Sequence, residues 1–198
     1  SGLAYGLTCK SIKHRNKIAF FVYFTMLFNG GLVPMYLLIS KYLHGTNRLW
    51  GLIVPLLVNP WNMFLLRNFF NGIPESINES ARIDGANDVL ILFRIILPIS
   101  LPGMATIGLF YALAYWNEWF RALLFITDKN LYPLQYLIVT ILRTLDAISS
   151  DANEAMLFTG LIPAYSTRLA TAVVTIGPIV FLYPFVQKYF AKGGAFWI

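Results

Sequence analysis

Four stretches of the chain are long and apolar enough to cross a bilayer, and they constrain its fold more than any other feature. A spanning helix needs about 20 mostly apolar residues. The stretches are Ile18 to about Tyr42, Leu49–Leu66, Ile99 to about Phe125, and about Leu169 to Phe190. Residues 1–8 look like the end of a fifth. Lipid offers the backbone no hydrogen-bond partner, so the pattern predicts an all-α, polytopic transmembrane helical bundle, with prolines tolerated inside the spans.

The charged residues agree with a membrane protein. They make up 12% of 198 residues, about half of what soluble domains carry. The net charge of +6 could suit nucleic acid, but the Lys and Arg residues stand singly between apolar runs, which is typical of membrane flanks. We therefore expect no nucleic-acid partner and one transmembrane domain over residues 1–198.

The basic residues also predict the orientation of the spans. Lys10, Lys13, Arg15 and Lys17 precede the first full span, and such clusters stay in the cytoplasm. Alternation then places 67–98 inside, 126–168 outside and the C-terminus inside. In the outer segment we expect a helix over 134–146. The spacing of Asp151 and Glu154 predicts the start of another.

The polar segment 67–98 lies between the second and third spans and has a plain structural interpretation. Ser76 and Glu79 fit a capping box for a helix from about Ile77 to Asp84. Gly85 would allow a left-handed turn. Asn87 or Asp88 could then cap a second helix, 88–97, that Pro98 stops. On this interpretation the segment is two short amphipathic helices on the membrane face.

The same segment carries a spaced motif. Glu79-Ser80-Ala81 is followed by three residues, Gly85, nine residues, and Ile95-Ile96-Leu97-Pro98. It resembles the EAA signature of ABC importer permeases, with Ser80 in place of the Ala at the second position of Glu-Ala-Ala as its one departure. We call residues 67–98 the EAA loop.

The resemblance covers nearly the whole chain. Ile73-Pro74-Glu75 and Trp116-Asn117-Glu118-Trp119 resemble the carbohydrate branch, which includes the maltose permeases. Phe28 to Pro34 and Leu131 to Gln135 resemble the subgroup for larger sugars such as alginate. Permeases of this family usually have six spanning helices, so the resemblance implies that one helix and part of the next are missing here.

The resemblance implies a transport subunit of the bacterial inner membrane. Its EAA loop would form a cytoplasmic coupling helix that docks on an ATPase, whose closure drives alternating access. The coupling residues would be Glu79, Ser80, Ala81, Arg82, Asp84 and Gly85, with the two small residues allowing close packing. The implied partners are a second homologous permease, two ATPases, a periplasmic or lipoprotein solute-binding protein, and an oligo- or polysaccharide.

No enzyme site is expected in this chain. It lacks a Gly-x-x-x-x-Gly-Lys-Ser/Thr phosphate loop, so ATP and Mg²⁺ would bind the partner ATPases and the chain itself would need no cofactor. His14 and His44 are far apart and bring no carboxylate or Cys at metal-ligand spacing, which argues against a metal site.

A polar and aromatic run near the outer end of the third span suggests a translocation pathway. Its members are Tyr111, Tyr115, Trp116, Asn117 and Glu118. The rings could stack on sugars, and polar groups at this depth are functional candidates. The alternative is an interfacial aromatic belt with a snorkelling charge, or simple packing.

Three rival functions stay open. The chain could be an ABC importer permease for another solute. An ion-coupled secondary transporter would need a carboxylate or His near the bilayer midplane, and the apolar cores lack one apart from Glu118 near a boundary. An intramembrane enzyme would need a nucleophile–base or metal pair, which the sequence does not offer. The identity of the sugar is not fixed by these residues.

Overall fold

The computed structural model describes residues 1–150 and 164–193, and every regular element within them is a helix. This confirms the all-α prediction. The helices are α1 Gly2–Thr8, α2 Arg15–Leu27, α3 Leu32–Tyr42, α4 Leu49–Leu57, α5 Pro60–Asn71, α6 Glu75–Ile83, α7 Asp88–Ile99, α8 Leu101–Trp116, α9 Phe120–Phe125, α10 Leu134–Ser150 and α11 Ala164–Gly193. A 3₁₀ turn, Lys129–Leu131, lies between α9 and α10. The helix predicted to begin at Asp151 lies outside the described residues.

Three of the four predicted spans are broken. The first breaks after Leu27 and resumes at Leu32, with Gly31 at φ +89°, a conformation that glycine adopts without steric cost. The second breaks before Pro60, where Asn59 accepts a hydrogen bond from the Asn62 N–H at 3.1 Å and caps α5. The third breaks over residues 117–119.

The fourth predicted span is continuous. Pro178 and Pro184 lie inside α11 without ending it, as expected of a membrane helix whose neighbours can replace lost hydrogen bonds. Within the described ranges no single helix is both long and apolar enough to cross a membrane, but three bent pairs of helices pass that test together: α2 with α3, α4 with α5, and α7 with α8.

The chain divides into two compact units. The first contains Ser1–Leu32, Leu56–Ala112 and the end of α11. Its core packs α1 against α5, with α2, α6, α7 and α8 around them. Tyr5 meets Phe70 edge to face with ring centroids 6.3 Å apart. Gly103 of α8 lies against the Phe69 ring of α5, where an added Cβ would come within 2.7 Å of it. The close approach of these two helices therefore depends on this glycine.

The second unit contains Val33–Pro55 and Leu113–Phe185. Its small core comprises Leu52, Ala122 and Ile126. Asn47, at φ +54°, fixes the loop after α9, because its side-chain oxygen accepts hydrogen bonds from the backbone N–H groups of Thr127 at 2.6 Å and Asp128 at 3.0 Å. The loop before α4 is thereby joined to the loop after α9.

Candidate functional site

Helix α6 of the EAA loop begins earlier than the sequence predicted. It starts at Glu75, with Pro74 as its N-cap and no side-chain cap, so the predicted Ser76 capping box is wrong. Pro74 fixes the backbone at the entry, with φ −54°, and places Ser76 inside the first turn. Glu75 instead forms an ion pair with Lys10. A carboxylate in the first turn also interacts favourably with the positive end of the helix dipole.

The turn after α6 confirms the prediction for Gly85. This residue adopts φ +83°, and its N–H donates to the Arg82 carbonyl at 3.0 Å, while the Ala86 N–H donates to the Ala81 carbonyl at 3.0 Å. A side chain at Gly85 would meet no neighbour within 4 Å. Its requirement for glycine is therefore one of backbone conformation.

The second helix of the loop is capped as predicted but ends later. Asn87 caps α7 by accepting a hydrogen bond from the Leu90 N–H at 2.8 Å. Pro98 does not stop the helix, which continues to Ile99. The predicted stop fails because a π-helical turn, Leu92–Ile96, precedes Pro98 and places it at the start of a new helical turn, Leu97–Ile99. A proline is tolerated at that position because no helical hydrogen bond needs its N–H.

The motif residues of α6 fall on two faces. Ala81 is buried, with 7% of its surface exposed, in the core of the first unit. Its small size therefore serves packing inside the chain. Glu79, Ser80, Arg82 and Asp84 are exposed. These four form the polar face that a partner can reach.

One exposed residue of this face escaped the sequence analysis. Ile83 has 86% of its surface exposed, although it is apolar and lies in the variable part of the motif. Residues two apart on a helix point about 200° apart, so the burial of Ala81 directs Ile83 outward. A helical projection of Glu75–Ile83 carries this signal.

A second ion pair joins the two helices of the loop. The Arg82 guanidinium lies 2.9 Å from an Asp88 carboxylate oxygen. This hydrogen bond raises the pKa of Arg82. Arg82 and Asp88 are both at least 40% exposed, so the pair orients the loop more than it stabilises the fold.

Three of the five predicted pathway residues donate hydrogen bonds to backbone carbonyls of other helices. In the first unit, the Tyr111 hydroxyl donates to the Leu57 carbonyl at 3.1 Å and accepts from the Asn59 N–H at 3.1 Å, which bridges the break between α4 and α5. In the second unit, Tyr115 donates to Ile53 at 2.9 Å and Trp116 to Thr175 at 3.2 Å.

The other two pathway residues are also engaged within the chain. The Asn117 amide donates to the Leu113 carbonyl at 2.9 Å. Glu118 lies 2.5 Å from the Arg121 guanidinium and accepts the Arg121 N–H at 3.0 Å. The side chains of this pair are only 18% and 21% exposed. A role in lining a pathway stays a prediction for all five residues.

The sequence analysis did not connect two arginines with this polar and aromatic run. Arg121 stands three residues after Glu118, a spacing that brings side chains together on a helix, so the sequence carried a signal for this pair. Arg143 of α10 lies over the Trp119 ring at 5.4 Å from its centroid. Nothing in the sequence spacing could have paired these two residues.

Two proteins of Bacillus subtilis are similar in sequence to this chain over nearly its whole length. The chain is 43% identical over 96% of its length to the polygalacturonan/rhamnogalacturonan transport system permease protein YtcP of Bacillus subtilis, of which it covers 66%. It is 42% identical over 96% of its length to protein LplC of the same organism, of which it covers 64%. The chain thus spans about two thirds of the length of these relatives.

A solved structure supports the fold. A chain of a bacterial ABC transporter involved in the import of the acidic polysaccharide alginate matches 94% of this chain and is itself covered over 66%, with 32% identity and a TM-score of 0.82. The model of the family described as the inner membrane component of binding-protein-dependent transport systems matches residues 13–193. The chain belongs to this family of membrane permease components.

Proposed function

We propose that the chain is a permease subunit of an ATP-driven importer for oligo- or polysaccharides. The similarity to the polygalacturonan/rhamnogalacturonan permease across nearly the whole chain carries this proposal. Homology at this level over the membrane helices and the EAA loop favours the same transport role. The rivals, a secondary transporter and an intramembrane enzyme, lack such support.

The proposed role of the EAA loop is to dock on an ATPase subunit. The exposed residues of α6 offer charge of both signs around an apolar side chain, Ile83. An apolar anchor inside a ring of polar contacts is the usual composition of an interface centre. ATP-driven movement of the partner would then pull on α6, and Ala81 would pass that movement to the core in which it is buried.

The remaining partners follow from the family. We propose a second permease subunit, two ATPases that bind ATP and Mg²⁺, and an extracytoplasmic solute-binding protein. The chain itself would hold no cofactor. The EAA loop and C-terminus would lie in the cytoplasm, and Trp116, Asn117 and Glu118 near the outer end of the route.

The proposed substrates are oligosaccharides derived from acidic polysaccharides. A named relative transports polygalacturonan and rhamnogalacturonan, and the solved neighbour belongs to an importer of alginate. All three polymers contain uronic acids, whose carboxylates give them a chemistry that neutral glucans lack.

Reconstitution tests this function. The full-length protein is purified with its second permease and ATPases, placed in proteoliposomes, and supplied with the cognate solute-binding protein. Oligogalacturonides should stimulate ATP hydrolysis and enter the vesicles, whereas malto-oligosaccharides of the same length should do neither. Equal stimulation by the neutral sugars would contradict the substrate class. Uptake without ATP hydrolysis would contradict the ATP-driven mechanism.

A further inference from the structure

A polar groove of about 380 Å³ opens beside α6 in the first unit. Its walls come from the end of α1, the loop after it, the start of α2, the end of α5 and α6 from Glu75 to Arg82. The charged residues that line it are Lys10, Arg15, Arg67, Glu75, Glu79 and Arg82. Cations therefore outnumber carboxylates by four to two in this lining.

Two of the four cations are left without a carboxylate. Lys10 pairs with Glu75, and Arg82 with Asp88. Neither Arg15 nor Arg67 forms an ion pair with any residue that the structure describes. One Arg15 nitrogen donates to the Thr8 carbonyl at 3.3 Å, which leaves its charge uncompensated. Glu79 in the same lining also forms no ion pair with a described residue, so the uncompensated charges of the groove are those of two arginines and one carboxylate.

Two buried polar atoms in the same lining have no hydrogen-bond partner. They are the Nε of Arg67, which is a donor, and the Oδ1 of Asn78, which is an acceptor. A buried donor or acceptor without a partner is costly. A ligand with an anionic acceptor for Arg67 and a hydroxyl or ammonium donor for Asn78 would satisfy both atoms.

The start of α2, which lines the groove, has the residue pattern of a membrane boundary. Arg15 begins α2, and Phe20 and Phe21, within the next two turns, are 68% and 67% exposed. Such rings face lipid in a membrane helix, so the preceding turn lies at headgroup depth. Leu7, Phe70 and Ile73 add apolar lining, against which the start of an acyl chain can pack.

We propose that this groove binds the headgroup of an anionic phospholipid of the phosphatidylglycerol class. The phosphate would accept hydrogen bonds from Arg67 and Arg15, a geometry for which guanidinium is well suited. A glycerol hydroxyl would donate to Asn78. Basic pockets between membrane helices bind anionic headgroups by the same chemistry. This inference does not rest on the transported sugar.

Native mass spectrometry of the full-length protein, alone and with its partner subunits, tests the site. The protein is exchanged into detergent with equal amounts of phosphatidylglycerol and phosphatidylcholine. We expect one retained phosphatidylglycerol per chain. Arg67→Gln should lower this occupancy at least tenfold, and Arg67→Lys should restore part of it. Lys13→Gln is the control, since it removes an exposed charge of the loop between α1 and α2 that lies outside the groove lining, and it should change occupancy less than twofold.

Several results would overturn the proposal. Equal loss in Lys13→Gln would mean that net charge alone attracts the lipid. Unchanged occupancy in Arg67→Gln would exclude the site. If that variant does not fold, Arg15→Gln removes the other unpaired arginine of the lining, and unchanged occupancy in it would likewise exclude the site. Protection against thermal unfolding by inorganic phosphate in lipid-free detergent, equal to that by the lipid, would assign the groove to a soluble anion. Loss of the lipid when the ATPase binds would assign it to the subunit interface.

Discussion

Glu79 differs from its neighbour Glu75, although both are exposed carboxylates on α6. Glu75 is held by Lys10, whereas Glu79 forms no ion pair with any described residue. A carboxylate that the fold leaves unpaired at the head of the EAA motif is available to a partner's cation. The two residues therefore form a matched pair for testing the coupling role.

We expect Glu79→Gln to lower substrate-stimulated ATPase activity about tenfold or more, because removing one member of an interfacial charge pair is costly. Glu79→Lys should abolish the stimulation by adding repulsion. Glu75→Gln should change it less than twofold. Steady-state ATP hydrolysis in proteoliposomes measures all three. Wild-type stimulation in Glu79→Lys would contradict the assignment of Glu79 to the coupling surface.

The cap residues of the loop give a second test at this scale. Asn87→Ala should cost about 1 kcal/mol, since it removes an observed cap. Ser76→Ala should stay within about 0.5 kcal/mol, because Ser76 caps nothing. Ala81→Trp should destabilise by about 1–3 kcal/mol or more by overpacking the core. The free energy of unfolding, measured in detergent, ranks the three variants. A larger loss for Ser76→Ala than for Asn87→Ala would contradict the observed start of α6.

Ser76 also shows why single residues are hard to place from sequence. The Ser-x-x-Glu pattern fits a helix start at Ile77, and the fixed backbone of Pro74 fits one at Glu75. Both signals were present, and the stiffer one decides, because a proline at the entry fixes φ whereas a serine hydroxyl only contributes one hydrogen bond. Gly85 was predicted correctly because no competing signal stands beside it, whereas the cap of α7 was left open between Asn87 and Asp88 and the structure assigns it to Asn87.

At the scale of helices, the apolar runs predicted where the helical segments lie. They did not predict where these segments are broken. Helix α10 was expected over 134–146 and spans Leu134–Ser150. Counting apolar residues is insensitive to breaks, because Pro60 and Gly31 change hydropathy little while they alter the backbone. The break at 117–119 had its signal in Asn117 and Glu118, which were interpreted as pathway groups. Their partners depend on tertiary packing or local ion pairing that hydropathy does not encode.

A close contact between a helix and the loop before it gives a test at this scale. A Cβ at Gly51 of α4 would lie 2.5 Å from the Gly45 carbonyl oxygen, a backbone atom that cannot rotate away. We expect Gly51→Ala to lower the unfolding free energy by about 1–3 kcal/mol. Gly108→Ala in α8 meets nothing within 4 Å and should stabilise by up to about 1 kcal/mol. Equal effects on the thermal midpoint would argue against the close contact.

The break between α8 and α9 gives a functional test. Glu118→Gln weakens the pair with Arg121 and should lower sugar uptake several-fold while basal ATPase activity stays intact, because the EAA loop is untouched. Asp128→Asn is the control, since it changes an exposed carboxylate of the same unit. Trp116→Ala and Asn117→Ala extend the series. Unchanged uptake across the whole series would assign this run to packing.

At the scale of the whole molecule, large apolar side chains are exposed in both units. Phe20 of the first unit and Val173 and Phe181 of the second are 68%, 70% and 76% exposed. Patches of this kind mark contact with a membrane or another protein. In a membrane permease component these faces meet lipid or neighbouring subunits. The Lys/Arg pattern adds an orientation that the fold alone does not provide.

The orientation gives the last prediction. Single cysteines at Lys13, Ser76 and Lys129, all exposed positions, are placed in a Cys9→Ser background and labelled in intact cells with a membrane-impermeant thiol reagent. Lys129→Cys should react from outside, whereas Lys13→Cys and Ser76→Cys should react only after the membrane is opened. The ion pair between Lys10 and Glu75 already requires Lys13 and Ser76, which are close to them in the chain, to lie on the same side of the membrane. Labelling of all three positions from outside would place the EAA loop away from any cytoplasmic ATPase and would exclude the coupling mechanism.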